Sequence, residues 1–561
     1  MTAWYENLQT RMGSEREIHL DFSQFVHENV TKSWALVLWL LLLTYITVRV
    51  ALQQFSVSPV STGVIVTIWA FTVAWTVWNE ITRSHNSWTF WLRNNLYNSI
   101  TNVEVSLLLV LVIVAAVRGF IGYAITRASF SADPAIAAAT LAQFENPGAN
   151  WGAVVDNIRN LMVFRYPREE TWRVWGTIIY LGVLLLVSLY VYSQERLRKS
   201  WARRLTTILW VLTPIITFGL LLGVEPWRIA AMALYLGVLM IVTSAVLADD
   251  RLRQTTAARW ISIIVLLALW LLALVLFTRV FLAGQNLNPD IAWGGLLLTL
   301  VIAVFAIVAS FPLGVLLALG RRSQIPGVPA WLTYGAAILL TGYFLYTNTL
   351  PQLQEDAGFF RQLLSFWPLL ILLVAHAFQT TFKGNVVAAF STLYIEVIRG
   401  VPLITVLFMS IILFPILLPP GMEILSTWRV MVAAALFAAA YLAENVRGGL
   451  QAIPKGQYEA ADALGFRTFD KYRLIILPQA IRTVIPAIVG QFVGLFKDTT
   501  LIAIVGLIEL LGVANLISAQ PDWLGVRREP YIFLMIIYFV GSWIMVSSSR
   551  RMEQQLGVGE R

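Results

Sequence analysis

The chain has 561 residues, of which 58% are hydrophobic and 13% charged, with no cysteine and a net charge of +9. An average globular domain is about 45–50% apolar and about 25% charged, so these figures exclude a water-soluble enzyme and point to an integral membrane protein with many spans; disordered, collagen-like and disulfide-scaffold classes fall with it. Without cysteine there are no disulfides, zinc thiolate sites or cysteine nucleophiles.

Residues 1–33 are polar and carry mixed charge, including Arg11, Glu15, Arg16, Glu17 and Asp21. No short apolar region there ends in a small-residue cleavage site, so the segment reads as a cytoplasmic tail and not as a cleaved signal. From Trp34 onward, apolar stretches recur at the length a helix needs to cross the hydrocarbon core. They lie near 34–52, 60–79, 103–125, 174–192, 205–223, 228–247, 259–282, 292–319, 329–347, 366–382, 400–418, 428–446, 480–511 and 531–549. The expected fold is therefore all-α, with about fourteen transmembrane helices. A seven-span region (34–285) precedes a core (286–551), and a short cytoplasmic tail (552–561) follows. One external loop, near 126–173, is long and holds Pro134, Pro147, Gly148 and Pro167. It can pack on the outer face or cap a partner. Arg118, late in the third span, reads as a snorkelling side chain or as a functional intramembrane charge. The segment 480–511 is interrupted by Lys497 and Asp498 and is expected to be broken or re-entrant.

With a cytoplasmic N-terminus and simple alternation, the inside loops carry Arg83 and Arg93; Arg196, Arg198, Lys199, Arg203 and Arg204; Arg251, Arg253 and Arg259; Arg321 and Arg322; Lys383 and Arg399; Arg447, Lys455, Arg467, Lys471 and Arg473; and Arg550 and Arg551. The outside loops hold few: Arg228, Arg279, Arg361, Arg429, Arg527 and Arg528. This bias sets the orientation, with both termini inside. It also accounts for the +9 as charge spread over many loops, not a basic face for nucleic acid.

The segment 454–478 is amphipathic and too polar to span. Pro454 suits a first helical turn, Glu459, Ala460 and Ala461 continue that helix, and Gly465 permits a sharp turn. A second short helix is expected from about Thr468 to Ile476. Small alanines allow close approach by a partner, and Arg467, Lys471 and Arg473 keep the hairpin in the cytoplasm. It reads as a docking hairpin or as an interfacial helix lying on the membrane. Glu-x-x-Arg-Gly occurs twice, as Glu396/Arg399/Gly400 and Glu444/Arg447/Gly448, each pair at i,i+3 on a helix so that the side chains can meet. Such pairs either anchor helix ends or form and break as a gate. Lys497 and Asp498, and more weakly Glu509, are charges in an apolar segment, which face a cavity or one another. His19, His27, His85 and His376 show no metal spacing. No phosphate-binding Gly-x-x-x-x-Gly-Lys-[Ser/Thr] loop and no nucleophile–base pair occurs.

The pattern Glu459-Ala460-Ala461, Gly465, Ile475 and Leu477-Pro478 resembles the signature loop of the permease subunits of ABC importers. Tyr394–Pro402, Tyr441–Gly449, Ile453–Gln457 and Phe496–Leu501 resemble the polar amino acid branch of that family, over about 290–322 and 384–550. Phe90–Leu96 and Arg165-Tyr166-Pro167 are similar, more weakly, to the large permease subunit of general L-amino acid importers. The resemblance implies a transmembrane subunit that moves amino acids by alternating access. Residues Glu459, Ala460, Ala461, Asp462, Gly465, Leu477 and Pro478 would dock a separate ATPase, in two copies, and Glu396, Arg399, Glu444, Arg447, Lys497 and Asp498 become gate or pathway candidates. It further implies an extracytoplasmic amino-acid-binding protein, a second related permease subunit or a homodimer, and residence in the bacterial inner membrane. No cofactor is expected on this chain, since ATP and magnesium belong to the partner. The five-span family core departs from its pattern at 325–383, where two added spans replace a short loop. A secondary transporter driven by an ion gradient is the competing class; it would show inverted repeats and no ATPase partner. A non-transporting membrane scaffold is a third class, against which the docking signature stands.

Overall fold

The computed structural model describes residues 33–55, 59–81, 100–194, 200–248, 256–354 and 358–555. The N-terminal tail to residue 32, the stretch Phe90–Leu96, His19, His27 and His85, several of the inside-loop arginines and residues 556–561 lie outside this set. Among the described residues the chain is helical, with isolated bridges at Ser129–Asn150 and Gly295–Glu509 and no β-strand. Among these described residues, nine helices are long and apolar enough to cross a membrane, or ten if one bent pair is a single span. A helix also lies at each of the other expected segments. The exposed faces are apolar, with Leu186, Leu271, Leu339 and Phe539 all more than 60% accessible. A soluble fold would bury them; lipid makes burial unnecessary.

The chain divides into two compact units, 1–155 and 156–561. In the first, α1 (Ser33–Gln54) and α2 (Pro59–Ile81) pack side by side, and α3 (Ile100–Ile121) runs into a wider turn, Gly122–Thr126. The external loop folds back on that turn. The Trp151 indole donates to the Ala124 carbonyl at 2.7 Å, and Gly148 comes so close to the Tyr123 and Arg127 carbonyls that a Cβ would meet them at 2.5 and 2.6 Å. Helix α4 (Pro134–Leu141) starts on the Asp133 carboxylate, which accepts from Ala135 N at 2.8 Å, with proline in the first turn.

In the second unit, α5 (Ile158–Val163) leads to α6 (Thr171–Ser193), α7 (Trp201–Leu221), α8 (Pro226–Ala248) and α9 (Thr256–Leu276), which pack as sequence neighbours. The core begins at α10 (Gly295–Arg321). It pairs most extensively with α15 (Ser426–Ala452), which packs on α17 (Leu477–Asp498), which in turn packs on α19 (Arg528–Gln555). Small residues make these crossings close. Ala438, Ala439, Ala440 and Ala443 of α15 are all buried, and a Cβ on Gly314 of α10 would meet Leu442 Cδ2 at 2.5 Å and the Ala439 carbonyl at 3.0 Å. Gly314→Leu is therefore expected to prevent α10 and α15 from closing, seen as loss of monodisperse protein on size-exclusion chromatography in detergent, whereas Gly342→Leu, at a site with open space, leaves the yield unchanged. Between α10 and α15 the cap is supplied from outside the helix: the Asp290 carboxylate accepts from Ser426 N and Thr427 N, both at 2.7 Å, at the start of α15.

Helices α11 (Ala330–Phe344) and α12 (Leu369–Phe382) form the inserted pair and pack on each other. Gln379 Nε2 donates to the Val328 carbonyl at 3.0 Å and to Thr333 Oγ1 at 2.5 Å. The insertion closes at its base, where Val328 N donates to the Gly384 carbonyl at 2.8 Å and Asn385 Nδ2 to the Ser323 carbonyl at 3.0 Å. Its main contact outside itself is with α13 (Val386–Gly400), which Asn385 caps.

Two boundaries differ from expectation. The span placed at 400–418 begins at Leu403 as α14 (Leu403–Phe408), and Val386–Gly400 makes an angle of 106° with Leu403–Ile416. Pro402 lacks an N–H and forces its predecessor out of the helical region, so the chain turns there. The second arm of the polar hairpin is not a separate helix: Thr468–Lys471 passes through a π turn, Tyr472–Ile476, directly into α17. Pro478 offers no N–H to the preceding turn, and the backbone widens to accommodate it.

Candidate functional site

Five charged side chains from three helices converge at one end of the core. Arg321, at the end of α10, reaches Glu396 of α13 at 2.8 Å and Glu444 of α15 at 3.5 Å. Arg399 of α13 reaches Glu444 at 3.4 Å, and Arg447 donates through Nε to Glu444 Oε1 at 2.9 Å, with a second guanidinium nitrogen on the same oxygen. Glu444 thus sits among three guanidiniums. The i,i+3 pairing expected from the sequence closes for Glu444/Arg447 but not for Glu396/Arg399, whose members reach across to other helices. The reason is position: α13 turns away at Pro402, which puts Glu396 beside α10 and Arg399 beside α15. With side chains 22–54% exposed, the cluster is wet enough to break and dry enough to matter.

The polar hairpin hangs from the same end. Helix α16 (Lys455–Ala463) stops at a left-handed glycine, Gly465, with φ +74°. Gly465 N donates to the Asp462 carbonyl at 3.0 Å and Phe466 N to the Ala461 carbonyl at 3.1 Å, the double bond of a Schellman stop. Lys471 Nζ pins the return arm to Asp462 at 2.6 Å. Ala461 is buried and Ile476 holds the inner side, whereas Glu459, Ala460, Asp462, Gly465 and Pro478 are exposed and Leu477 is half-buried. Leu464 at 75% and Phe469 at 70% exposure project from this polar segment. The hairpin is joined to the charged cluster by Arg322, whose Nη1 donates to the Leu450 carbonyl at 3.1 Å and to Tyr458 Oη at 3.4 Å, while Tyr458 itself donates to Leu450.

Lys497 and Asp498 close α17, and the chain tightens there into a 3-10 turn, Thr499–Val505, that ends at Gly506 with φ +90°. The segment 480–511 is thus broken, as its sequence implies. The two charges do not pair: Lys497 is exposed, and Asp498 is half-buried against a small void walled by Ile302, Leu403 and Leu407. Glu509 is fully buried and caps α18 (Leu510–Ile517), accepting from Leu511 N at 2.8 Å and Gly512 N at 3.1 Å, with Thr299 at 3.4 Å. Both its carboxyl oxygens are thereby satisfied, one by Gly512 N and the other by Leu511 N and Thr299. Its place is structural, at the opposite end of the core from the charged cluster. In the external loop, burial raises the Tyr166 phenol, whose Oη donates to the Leu221 carbonyl.

The family described as the binding-protein-dependent transport system inner membrane component matches residues 367–557. The glutamate/glutamine/aspartate/asparagine transport system permease protein BztC of Rhodobacter capsulatus is 32% identical over 475 residues, covering 83% of this chain and 93% of that protein. The chain is an amino-acid ABC transporter permease. The inner membrane amino-acid ABC transporter permease YhdY of Escherichia coli K12 is 36% identical to this permease over 267 residues, 48% of this chain and 57% of that protein. A crystal structure of an amino acid ABC transporter with histidines matches it at TM-score 0.31 and 25% identity, over 51% of this chain and 97% of that one. The permease is accordingly a multi-pass inner-membrane protein and a transport subunit of a family that works with an ATPase and a binding protein.

Sequence reasoning missed one member of the permease's charged cluster. In the sequence Arg321 is one more inside-loop charge, yet in the fold it bridges both glutamates. Its signal is its place, the last residue of a span that runs parallel to the one carrying Glu444, so that both end on the same side.

Proposed function

We propose that this permease moves amino acids by alternating access, with ATP hydrolysed on a separate subunit that docks on residues 454–478. The observation that carries the reading is the continuous link from that hairpin to the charged cluster. Tyr458 and Arg322 share the Leu450 carbonyl, and the neighbouring Arg321 holds Glu396 and Glu444. A push on Leu464 and Phe469 is delivered to the ends of α10 and α15, the helices whose separation the cluster resists. Glu396, Arg399, Glu444 and Arg447, with Arg321, form the inner gate. Lys497 and Asp498, at the break after α17, border the pathway near its other end.

In this arrangement the hairpin end is cytoplasmic and so are both termini. ATP and magnesium bind the partner ATPase, present in two copies, and the chain has no nucleotide site of its own. A second related permease subunit, or a second copy of this chain, completes the pathway, and an extracytoplasmic binding protein delivers the substrate. The relative named for glutamate, glutamine, aspartate and asparagine, matched over nearly its full length, supports dicarboxylic amino acids and their amides as the substrate class.

Isolation from membranes under mild detergent is expected to bring down an ATPase subunit, and reconstituted vesicles are expected to take up L-glutamate or L-glutamine only with ATP inside and binding protein outside. Uptake by the chain alone, driven by an ion gradient, would overturn the assignment.

A further inference from the structure

At the end of the core opposite the hairpin, α5 and α18 line an open cleft of about 410 Å³, within the range of roughly 300–1,000 Å³ common for small-molecule sites. Its polar lining comes from Asn157, Asn160 and Arg165 on one side and Gln520 on the other, with Leu516 among the apolar residues of α18. The polar walls are fixed in place. Asn157 is 3% exposed and exchanges amide hydrogen bonds with Gln520, at 3.2 Å in one direction and 3.1 Å in the other. Asn160 Nδ2 donates to Asn157 Oδ1 at 3.0 Å, and no donor reaches Asn160 Oδ1 among the described residues.

Arg165 stands apart from the other arginines of this region. Arg159 is spent on the Phe164 and Tyr166 carbonyls and Arg173 on Glu170 and the Val224 carbonyl. Arg165 is exposed, lies over the Phe164 ring at 5.2 Å, and meets no carboxylate among the described residues. Phe164 has φ +50°, a conformation that side chains other than glycine adopt at a cost. The fold enforces it: a Cβ on Gly294 would meet Phe164 at 2.6 Å, so only glycine admits the ring there. A strained, braced aromatic residue thus holds an unpaired guanidinium at the rim of a polar cleft.

We infer that this cleft is a receiving site for a free amino acid, bound by its carboxylate on Arg165 and by its ammonium on Asn160 Oδ1. A guanidinium makes two parallel hydrogen bonds to a carboxylate, and an amide oxygen is a fitting acceptor for an ammonium. The apolar side of α18 accommodates the substrate's methylenes. The site rests on the transport reading above for its location on the substrate's route, and adds a stop between delivery and the pathway at the first residue of the Arg165-Tyr166-Pro167 stretch.

The absence of cysteine makes the test direct. Ala519→Cys, at a lining position given no contact with the substrate, is introduced into the otherwise unchanged chain, assembled with its partners in right-side-out vesicles, and its modification by a membrane-impermeant sulfonate thiosulfonate reagent is timed. L-glutamate or L-glutamine is expected to slow the reaction, glycinamide, which lacks a carboxylate, is not, and adding Arg165→Ala raises the half-protecting concentration about tenfold, the loss of one charge-assisted contact. Leu516→Cys gives the same reading from within α18 if the first variant fails to assemble. Equal modification rates with and without the amino acids, or a reagent that reaches neither position, overturn the site. Uptake in the same vesicles separates the two readings. Transport without protection overturns the site and leaves the importer standing; protection without transport keeps the site and overturns the importer.

Discussion

Replacing Glu444 with alanine is expected to cut ATP-driven uptake by about tenfold while the protein still inserts and assembles. Three guanidiniums then face one another with only Glu396 to balance them. Such partly exposed pairs fall between surface bridges, worth about 0–1 kcal/mol, and buried networks, where removing one partner costs about 3–5 kcal/mol; about 2 kcal/mol is a fair expectation here. Applied to a gate whose closed state depends on the cluster, that shift moves the population more than tenfold toward the separated form. ATP hydrolysis is expected to persist, because the hairpin is untouched. Glu444→Gln keeps the shape and one acceptor and removes the charge, so it should behave like the alanine variant. Arg399→Ala, which gives up one contact of 3.4 Å, should lose less. Normal uptake by both Glu444 variants, at wild-type membrane levels, would show that the cluster only anchors helix ends.

Gly465→Asp should uncouple the transporter: hydrolysis continues and uptake falls to a small fraction. The substitution meets no clash, because nothing lies within 4 Å of a Cβ there. Its effect is conformational and electrostatic. A non-glycine residue in the left-handed region costs roughly 1 kcal/mol, less for aspartate than for branched residues. The new carboxylate also stands at the negative end of α16, beside exposed Leu464. Gly465→Asn retains much of the turn preference without the charge and separates the two contributions. If Gly465→Asp supports normal uptake, the ATPase does not dock here. Neither variant touches the charged cluster, so the two experiments report on opposite ends of the same linkage.

Much of this was legible because membrane proteins write their architecture in long apolar runs and loop charge. The helices, the break after Asp498 and the glycine stop at Gly465 all follow from local rules: span length, the cost of charge in hydrocarbon, and the backbone freedom of glycine. What was not legible depended on the crossing of helices distant in sequence. The i,i+3 rule pairs Glu396 with Arg399 because it knows only one helix. The turn at Pro402 and the close α10–α15 crossing at Gly314 reassign both partners and bring in Arg321. Asp290 is a similar case, since its two short bonds go to a helix that starts well over a hundred residues later, and no spacing announces it. The amide exchange between Asn157 and Gln520 spans still more of the chain.

The inserted pair α11–α12 leaves and re-enters the core at a single point, where Ser323 and Asn385 are hydrogen-bonded. Topologically it is a closed side loop hung on an intact frame. Loop closure depends only weakly on the length of the chain that closes, so lengthening or shortening this excursion costs the frame little as long as its two feet stay together. The joint between α10 and α13 is therefore a natural graft site in this permease, at which whole hairpins can be exchanged, or a reporter helix introduced, without altering the helices that carry Arg321 and Glu396.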